Sequence, residues 1–215
     1  MKFDKIIFDV SGTLWDDSEQ VFVANYNVLS GEGYTKFPDT DIPLSVEGLK
    51  ARAKGSCVEM YRYFRMDGSD KELIEKYKLA LDEVVPQHPV KLYDGVVDLI
   101  NSIDGKAHKF IISAHPQHRL DEDLDAVGIY DAFQEILGDC YYKAAVIRDK
   151  VKNSSCSAVP YIGDTASDII FSKRAGALSL AVTYGYGRLE DIIKQEPHRH
   201  FPCPYSLKNY LVERI

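Results

Sequence analysis

IIFDVSGTL, residues 6–14, is a short apolar run that stops at a carboxylate and a polar turn. Ile6, Ile7 and Phe8 follow the charged opening KFDK without alternation, the pattern of a parallel strand buried on both faces. Asp9 then stands at the carboxyl end of that strand, where open α/β sheets place their ligand crevice. Gly12 permits a sharp turn or a close backbone approach, and Thr13 adds a hydroxyl. Many strand ends carry an Asp and a Gly, so the stretch gains meaning only from what the rest of the chain brings beside it.

Outward from this stretch the chain alternates strands and helices. KFIISA (109–114), QEILG (134–138), VPYIGD (159–164) and LSLAVT (178–183) read as strands, and the helical patterns between them end at Gly128 and Gly176. Helices are also expected after Asp94-Gly95, at LEDIIKQ, and at YSLKNYLVERI. Such alternation implies right-handed crossovers and a Rossmann-like, doubly wound parallel sheet, an α/β fold. Residues 16–88 break the rhythm: they carry helical apolar spacing, such as Val21, Phe22, Tyr26 and Leu29, with no strong strand. The expected organisation is a core of residues 1–15 and 89–215 with a helical insertion at 16–88.

In a parallel sheet Asp9, Ser113 and Asp164 all fall at carboxyl ends of strands, hence on one edge. Asp164 and Asp168, in GDTASD, are four apart where a strand passes into a helix, so both carboxylates can face one side of the first turn. Asp164 or Thr165 could equally cap that helix, as Ser113 could cap the one after it. Convergence with Asp9 favours metal binding by Asp9, Asp164 and Asp168, the ion being a hard divalent cation such as Mg²⁺.

FDVSGTL, IISA and IGDTASD resemble the first, second and fourth motifs of the haloacid dehalogenase-like hydrolases, in that family's order. The resemblance implies that Asp9 is a nucleophile forming an aspartyl phosphate and that the Ser11 backbone carbonyl joins the metal site. Gly12, Thr13, Ala114 and His115 would then line the substrate. Ser113 would donate to a phosphoryl oxygen, and Lys143, at the head of a helix, would be the third-motif lysine offsetting transition-state charge. Lys150 and Lys152 compete for that last role. The insertion matches the family's helical cap in position and length. The implied activity is that of a Mg²⁺-dependent phosphatase for a small phosphorylated metabolite, similar to the phosphoglycolate phosphatase group.

Ser11 departs from the family pattern, which carries a second Asp there. A serine cannot act as general acid and base near neutral pH, and that catalysis is worth roughly 10²- to 10⁴-fold. Two other readings stay open: a catalytically impaired phosphate- and metal-binding regulatory protein, and a C–halogen or C–P bond hydrolase of the same superfamily. GDTASD speaks against a metal-free dehalogenase. His115 could partly replace the missing acid, although a surface-loop histidine is the plainer reading. Lys50, Arg52 and Lys54 could hold a second anionic group of a substrate or lie on a solvated helix end. HRH at 198–200 reads as a surface turn.

With 215 residues, 45% of them hydrophobic, the chain can build a sizeable core. A formal charge of -7 argues against a nucleic-acid binder, since those present a basic face. No stretch approaches membrane-span length, and Cys57, Cys140, Cys156 and Cys203 show no zinc-ligand spacing. Free thiols and a core strand starting near Met1 lead to the expectation of a cytoplasmic protein. Oligomeric state is not legible.

Overall fold

The computed structural model describes residues 2–52, 56–156 and 158–215. The chain falls into two units, one running to Asp16 and resuming at Val90, the other comprising Asp17–Pro89. The first opens with β1 (Lys5–Phe8) and β2 (Trp15–Asp16). The second holds α1 (Ser18–Gly31), α2 (Val46–Lys50), α3 (Cys57–Tyr63) and α4 (Asp70–Val84). The first unit then continues with β3 (Lys91–Leu92), α5 (Val96–Ile103), β4 (His108–Ile112), α6 (Gln117–Ala126), β5 (Glu135–Leu137) and α7 (Ala144–Lys152). It closes with β6 (Pro160–Gly163), α8 (Ala166–Ala175), β7 (Leu178–Val182), α9 (Leu189–Lys194), β8 (Arg199–Phe201) and α10 (Pro204–Val212).

Six strands form one sheet in the order β5-β4-β1-β6-β7-β8, and every pairing in it is parallel. Both faces of β1 are buried, which is why its sequence does not alternate. Ile6 and Phe8 enter a layer with Val96, Leu99, Ile100, Leu120 and Leu207, while Ile7 enters the opposite layer with Ile112, Ile147 and Tyr161. The expected α/β fold with a doubly wound parallel sheet is therefore what the chain forms.

Two features differ from expectation. Arg199, His200 and Phe201, whose neighbourhood reads as a surface turn, form β8, the edge strand parallel to β7. Three residues with two exposed and one buried are too short to show a period, and charged side chains suit an edge. His198 accordingly does not reach for a metal: its Nδ1 lies 3.1 Å from the Ser179 N–H and 2.9 Å from the Ser179 hydroxyl. The second feature is the antiparallel ribbon of β2 and β3, which pairs Trp15 with Leu92 and Asp16 with Lys91 and so keeps Asp16 in the first unit.

The second unit is helical, and α2, α3 and α4 begin where a serine supplies a cap. Ser56 with Glu59 and Ser69 with Glu72 form reciprocal capping boxes at the starts of α3 and α4. Two of the three cations noted in 50–54 are committed inside this unit. Lys50 pairs with Glu19, and the Arg52 guanidinium lies 4.4 Å from the Phe37 ring centroid and donates to the Gly48 carbonyl at 3.1 Å. Lys54 lies outside the described residues. Among the described residues, no helix is long and apolar enough to cross a membrane.

Candidate active site

β1, β4 and β6 are adjacent, so the turns at their carboxyl ends meet. Asp9 continues β1, its N–H donating to the Ile162 carbonyl at 2.8 Å. Asp164 follows β6, and Asp168 sits in the first turn of α8. Ligand-capable oxygens of Asp9, Asp164 and Asp168 lie within 4.8 Å of one another, and all three residues are buried.

Lys143 enters this cluster from the N-cap position of α7. Its ammonium is 2.7 Å from Asp9 Oδ2 and 2.9 Å from Asp168 Oδ1. The competing lysines are elsewhere: Lys150 pairs with Glu135, and Lys152 is exposed. Burial pushes the Lys143 pKa down, but Asp168 and Asp9 override it and hold the ammonium above its usual value.

The three carboxylates differ in how they are satisfied. Asp168 Oδ2 accepts from the Thr165 N–H at 3.0 Å and the Thr165 hydroxyl at 2.6 Å, a capping box at the head of α8. Its Oδ1 accepts from Lys143 and, at 3.1 Å, from the Tyr161 hydroxyl. Asp164 Oδ2 accepts from the N–H groups of Tyr186 and Gly187 at 3.1 and 3.2 Å. That leaves Asp9 Oδ1 and Asp164 Oδ1 buried with no hydrogen-bond partner among the described residues. Burial pushes Asp9 up to about 6, opposed by Lys143 and reinforced by Asp168. Burial likewise drives Asp164 well above the usual carboxylate range, with Asp168 and Asp9 adding to the rise. For Asp168 burial acts upward too, yet Lys143 and then the Thr165 hydroxyl hold it below the usual range.

Gly12 and the segment 184–187 make room for Asp164. Gly12 has φ +71, and a Cβ there would lie 2.2 Å from Asp164 Oδ2. A Cβ on Gly187 would lie 1.9 Å from the Asp164 carbonyl oxygen. Gly12 thus serves the approach of a carboxylate as well as the turn. Thr13 is buried with its Oγ1 unpartnered among the described residues, and its carbonyl accepts from the Tyr184 hydroxyl at 2.8 Å. Ser11 is half-buried, and Gly12 beside it donates to the Trp15 carbonyl at 3.0 Å.

Ser113 is buried at the end of β4, its N–H donating to Leu137 and its carbonyl accepting from Cys140, both at 2.9 Å. Its hydroxyl accepts from the His115 N–H at 3.2 Å, so it turns the chain ahead of α6 instead of capping that helix. Ala114 is half-buried between them. His115 is not a surface-loop residue: it is 4% exposed, edge-on to Trp15 at 5.9 Å, with Nε2 3.3 Å from Asp123 Oδ2. Those partners come from eight residues onward and a hundred residues back, beyond the reach of local pattern. Tyr161 and the YGYG segment at 184–187 also join the site without standing out in the sequence. Two glycines directly after an apolar strand were the available signal for the latter.

The family model for haloacid dehalogenase-like hydrolase matches residues 6–182. The chain is 23% identical over 208 residues to the phosphoglycolate phosphatase of Synechococcus elongatus, covering 94% of this chain and 94% of that protein. Its fold is similar to the crystal structure of a predicted phosphatase from Clostridium acetobutylicum, with a TM-score of 0.81, 19% identity, and coverage of 99% and 100% of the two chains. A predicted phosphoglycolate phosphatase from Haemophilus somnus is similar at a TM-score of 0.73, 18% identity, and 98% of both chains.

Proposed function

Because this chain belongs to the haloacid dehalogenase-like hydrolases, we propose that it is a Mg²⁺-dependent phosphatase for a small phosphorylated metabolite, working through an aspartyl phosphate on Asp9. The observation that carries this reading is the pair of buried, partnerless carboxylate oxygens, Asp9 Oδ1 and Asp164 Oδ1. Among the described residues, three buried carboxylates cluster beside one buried ammonium, which contacts Asp9 and Asp168. Unpaired charge of that kind is costly in a dry interior, and a hard cation with oxygen ligands offsets it.

Asp9, Asp164 and the Ser11 carbonyl would hold the ion, which when bound neutralises the carboxylates and polarises a phosphoryl oxygen. Asp168 has both oxygens engaged, and its part is to hold Lys143. Asp9 attacks phosphorus, the bond to the ester oxygen breaks, and the leaving alkoxide takes a proton from solvent. Water then attacks the phosphoryl group, releasing inorganic phosphate and regenerating the Asp9 carboxylate. Ser113 donates to a phosphoryl oxygen, and Lys143 offsets charge that develops there.

Ser11 supplies no carboxylate to protonate the alkoxide or activate the water. That one substitution favours a second reading, a protein that binds phosphate and metal and turns over slowly or not at all. A screen of phosphorylated metabolites with and without Mg²⁺, on wild type and Asp9→Asn, tests both. Mg²⁺-dependent phosphate release lost in Asp9→Asn is expected. Release that survives in Asp9→Asn at the wild-type rate removes the aspartyl phosphate, and binding without release leaves the second reading.

A further inference from the structure

We propose that Tyr161 is a positioning residue for this reaction: its hydroxyl fixes Asp168, and through Asp168 it fixes the Lys143 ammonium against Asp9. The inference rests on the phosphatase reading for the reaction but not for the geometry. Tyr161 is fully buried on β6, in the apolar layer of Ile7, Ile112, Ile147 and Val159. A phenylalanine would fill that space without the cost of desolvating a hydroxyl, so the hydroxyl needs partners to be tolerated. It has two, Asp168 Oδ1 at 3.1 Å and the Ile112 carbonyl at 3.3 Å.

The oxygen it touches is the one that Lys143 uses. A carboxylate offers about four acceptor positions. In Asp168 the Thr165 N–H and hydroxyl take two on Oδ2, and Lys143 and Tyr161 take two on Oδ1. With all of them filled, the carboxylate cannot rotate without breaking a bond. The Tyr161 ring also lies beneath the ammonium, 5.7 Å from Lys143 Nζ to the ring centroid, a cation–π distance. Burial, with Asp168 and Asp9 close by, keeps the phenol protonated, so it remains a donor. Lys143 is therefore set by Asp9, Asp168 and the Tyr161 ring together.

The test uses Tyr161→Phe, which keeps the ring and removes the hydroxyl. At saturating Mg²⁺ kcat should fall about 10- to 100-fold, the usual effect of losing a group that orients a site residue from behind, with KM little changed. In an Asp168→Ala background, which removes the oxygen that the hydroxyl donates to, the same substitution should cost almost nothing further, because its effect passes through Asp168. A second readout needs neither metal nor turnover: the ¹⁵Nζ resonance of Lys143, assigned with Lys143→Arg, should shift in metal-free Tyr161→Phe. An unchanged kcat with an unmoved Lys143 resonance overturns the proposal. So does an equal loss in the Asp168→Ala background, or a loss that appears only as lower thermal stability and raised KM. If wild type releases phosphate from no ester, the phosphatase reading fails separately. The Lys143 resonance then decides the positioning role alone, a shift upholding it and no shift overturning it.

Discussion

Gly12→Ala tests the approach of the strand-end turn to the Asp164 carboxylate. Gly12 has φ +71, a region where an L-residue costs roughly 1–2 kcal/mol. At about 2–4 °C per kcal/mol for a chain of this size, that strain alone lowers the melting temperature by about 2–8 °C. The new Cβ would also lie 2.2 Å from Asp164 Oδ2 and 2.5 Å from Cγ. Ordinary contact is about 3.5 Å or more, so roughly 1 Å of separation must be found. Asp164 cannot yield it without stretching the hydrogen bonds from Tyr186 and Gly187. Misplacing a reacting or ligating group by about 1 Å costs on the order of 10²-fold. Gly105→Ala is the control, with φ +68 and nothing within 4 Å of its Cβ. Steady-state kinetics, Mg²⁺ calorimetry and thermal melts on both variants read strain and collision apart. Gly12→Ala should lose about 10²-fold in kcat/KM and most Mg²⁺ affinity, while Gly105→Ala loses only stability. Equal activity and Mg²⁺ binding in the two would refute the view that Asp164 must stand where it does.

Ser11→Asp restores a carboxylate two residues after Asp9, and turnover on esters with poor leaving groups should rise by a sizeable part of the roughly 10²- to 10⁴-fold that acid–base catalysis supplies. If the variant binds Mg²⁺ and is no faster on any ester, the missing acid is not the limit. Asp164→Ala should abolish most Mg²⁺ binding by calorimetry, whereas Asp168→Asn should retain much of it and lose kcat. The reverse ranking would make Asp168 the ligand. Among the thiols, burial pushes Cys57 up to about 12, while Ser206, through its backbone N–H and then its hydroxyl, holds Cys203 below the usual thiol value. At pH 7.5 iodoacetamide should therefore label Cys203 and spare Cys57 until the chain unfolds, as peptide mass spectrometry would read.

What local pattern can carry was legible. The run Ile6–Phe8 has no polar break because both its faces are buried, and strand-end placement alone put Asp9, Ser113 and Asp164 on one edge, whereas Lys143 was legible only through the family resemblance. What depends on contacts distant in sequence was not. GDTASD does not say that Asp168 turns to Thr165, Lys143 and Tyr161 while Asp164 keeps an oxygen open, since that division comes from side chains on β6 and before α7 and from the loop after β7. His115 reads as a loop residue because it stands between an expected strand ending at Ala114 and an expected helix beginning at Pro116, yet Trp15 and Asp123 bury it. β8 is three residues long and charged, too little for any period to emerge.

The ribbon of β2 and β3 closes the chain on itself where it leaves and re-enters the first unit. Because Trp15 faces Leu92 and Asp16 faces Lys91, the polypeptide departs from and rejoins the sheet-bearing unit at strand-pair spacing, about 5 Å. Seen from there, everything between is a detour with clamped ends, and doubling such a detour costs only about 0.6 kcal/mol of closure entropy. Closed in this way, the ends set the turn bearing Asp9 whatever the length of chain held between them.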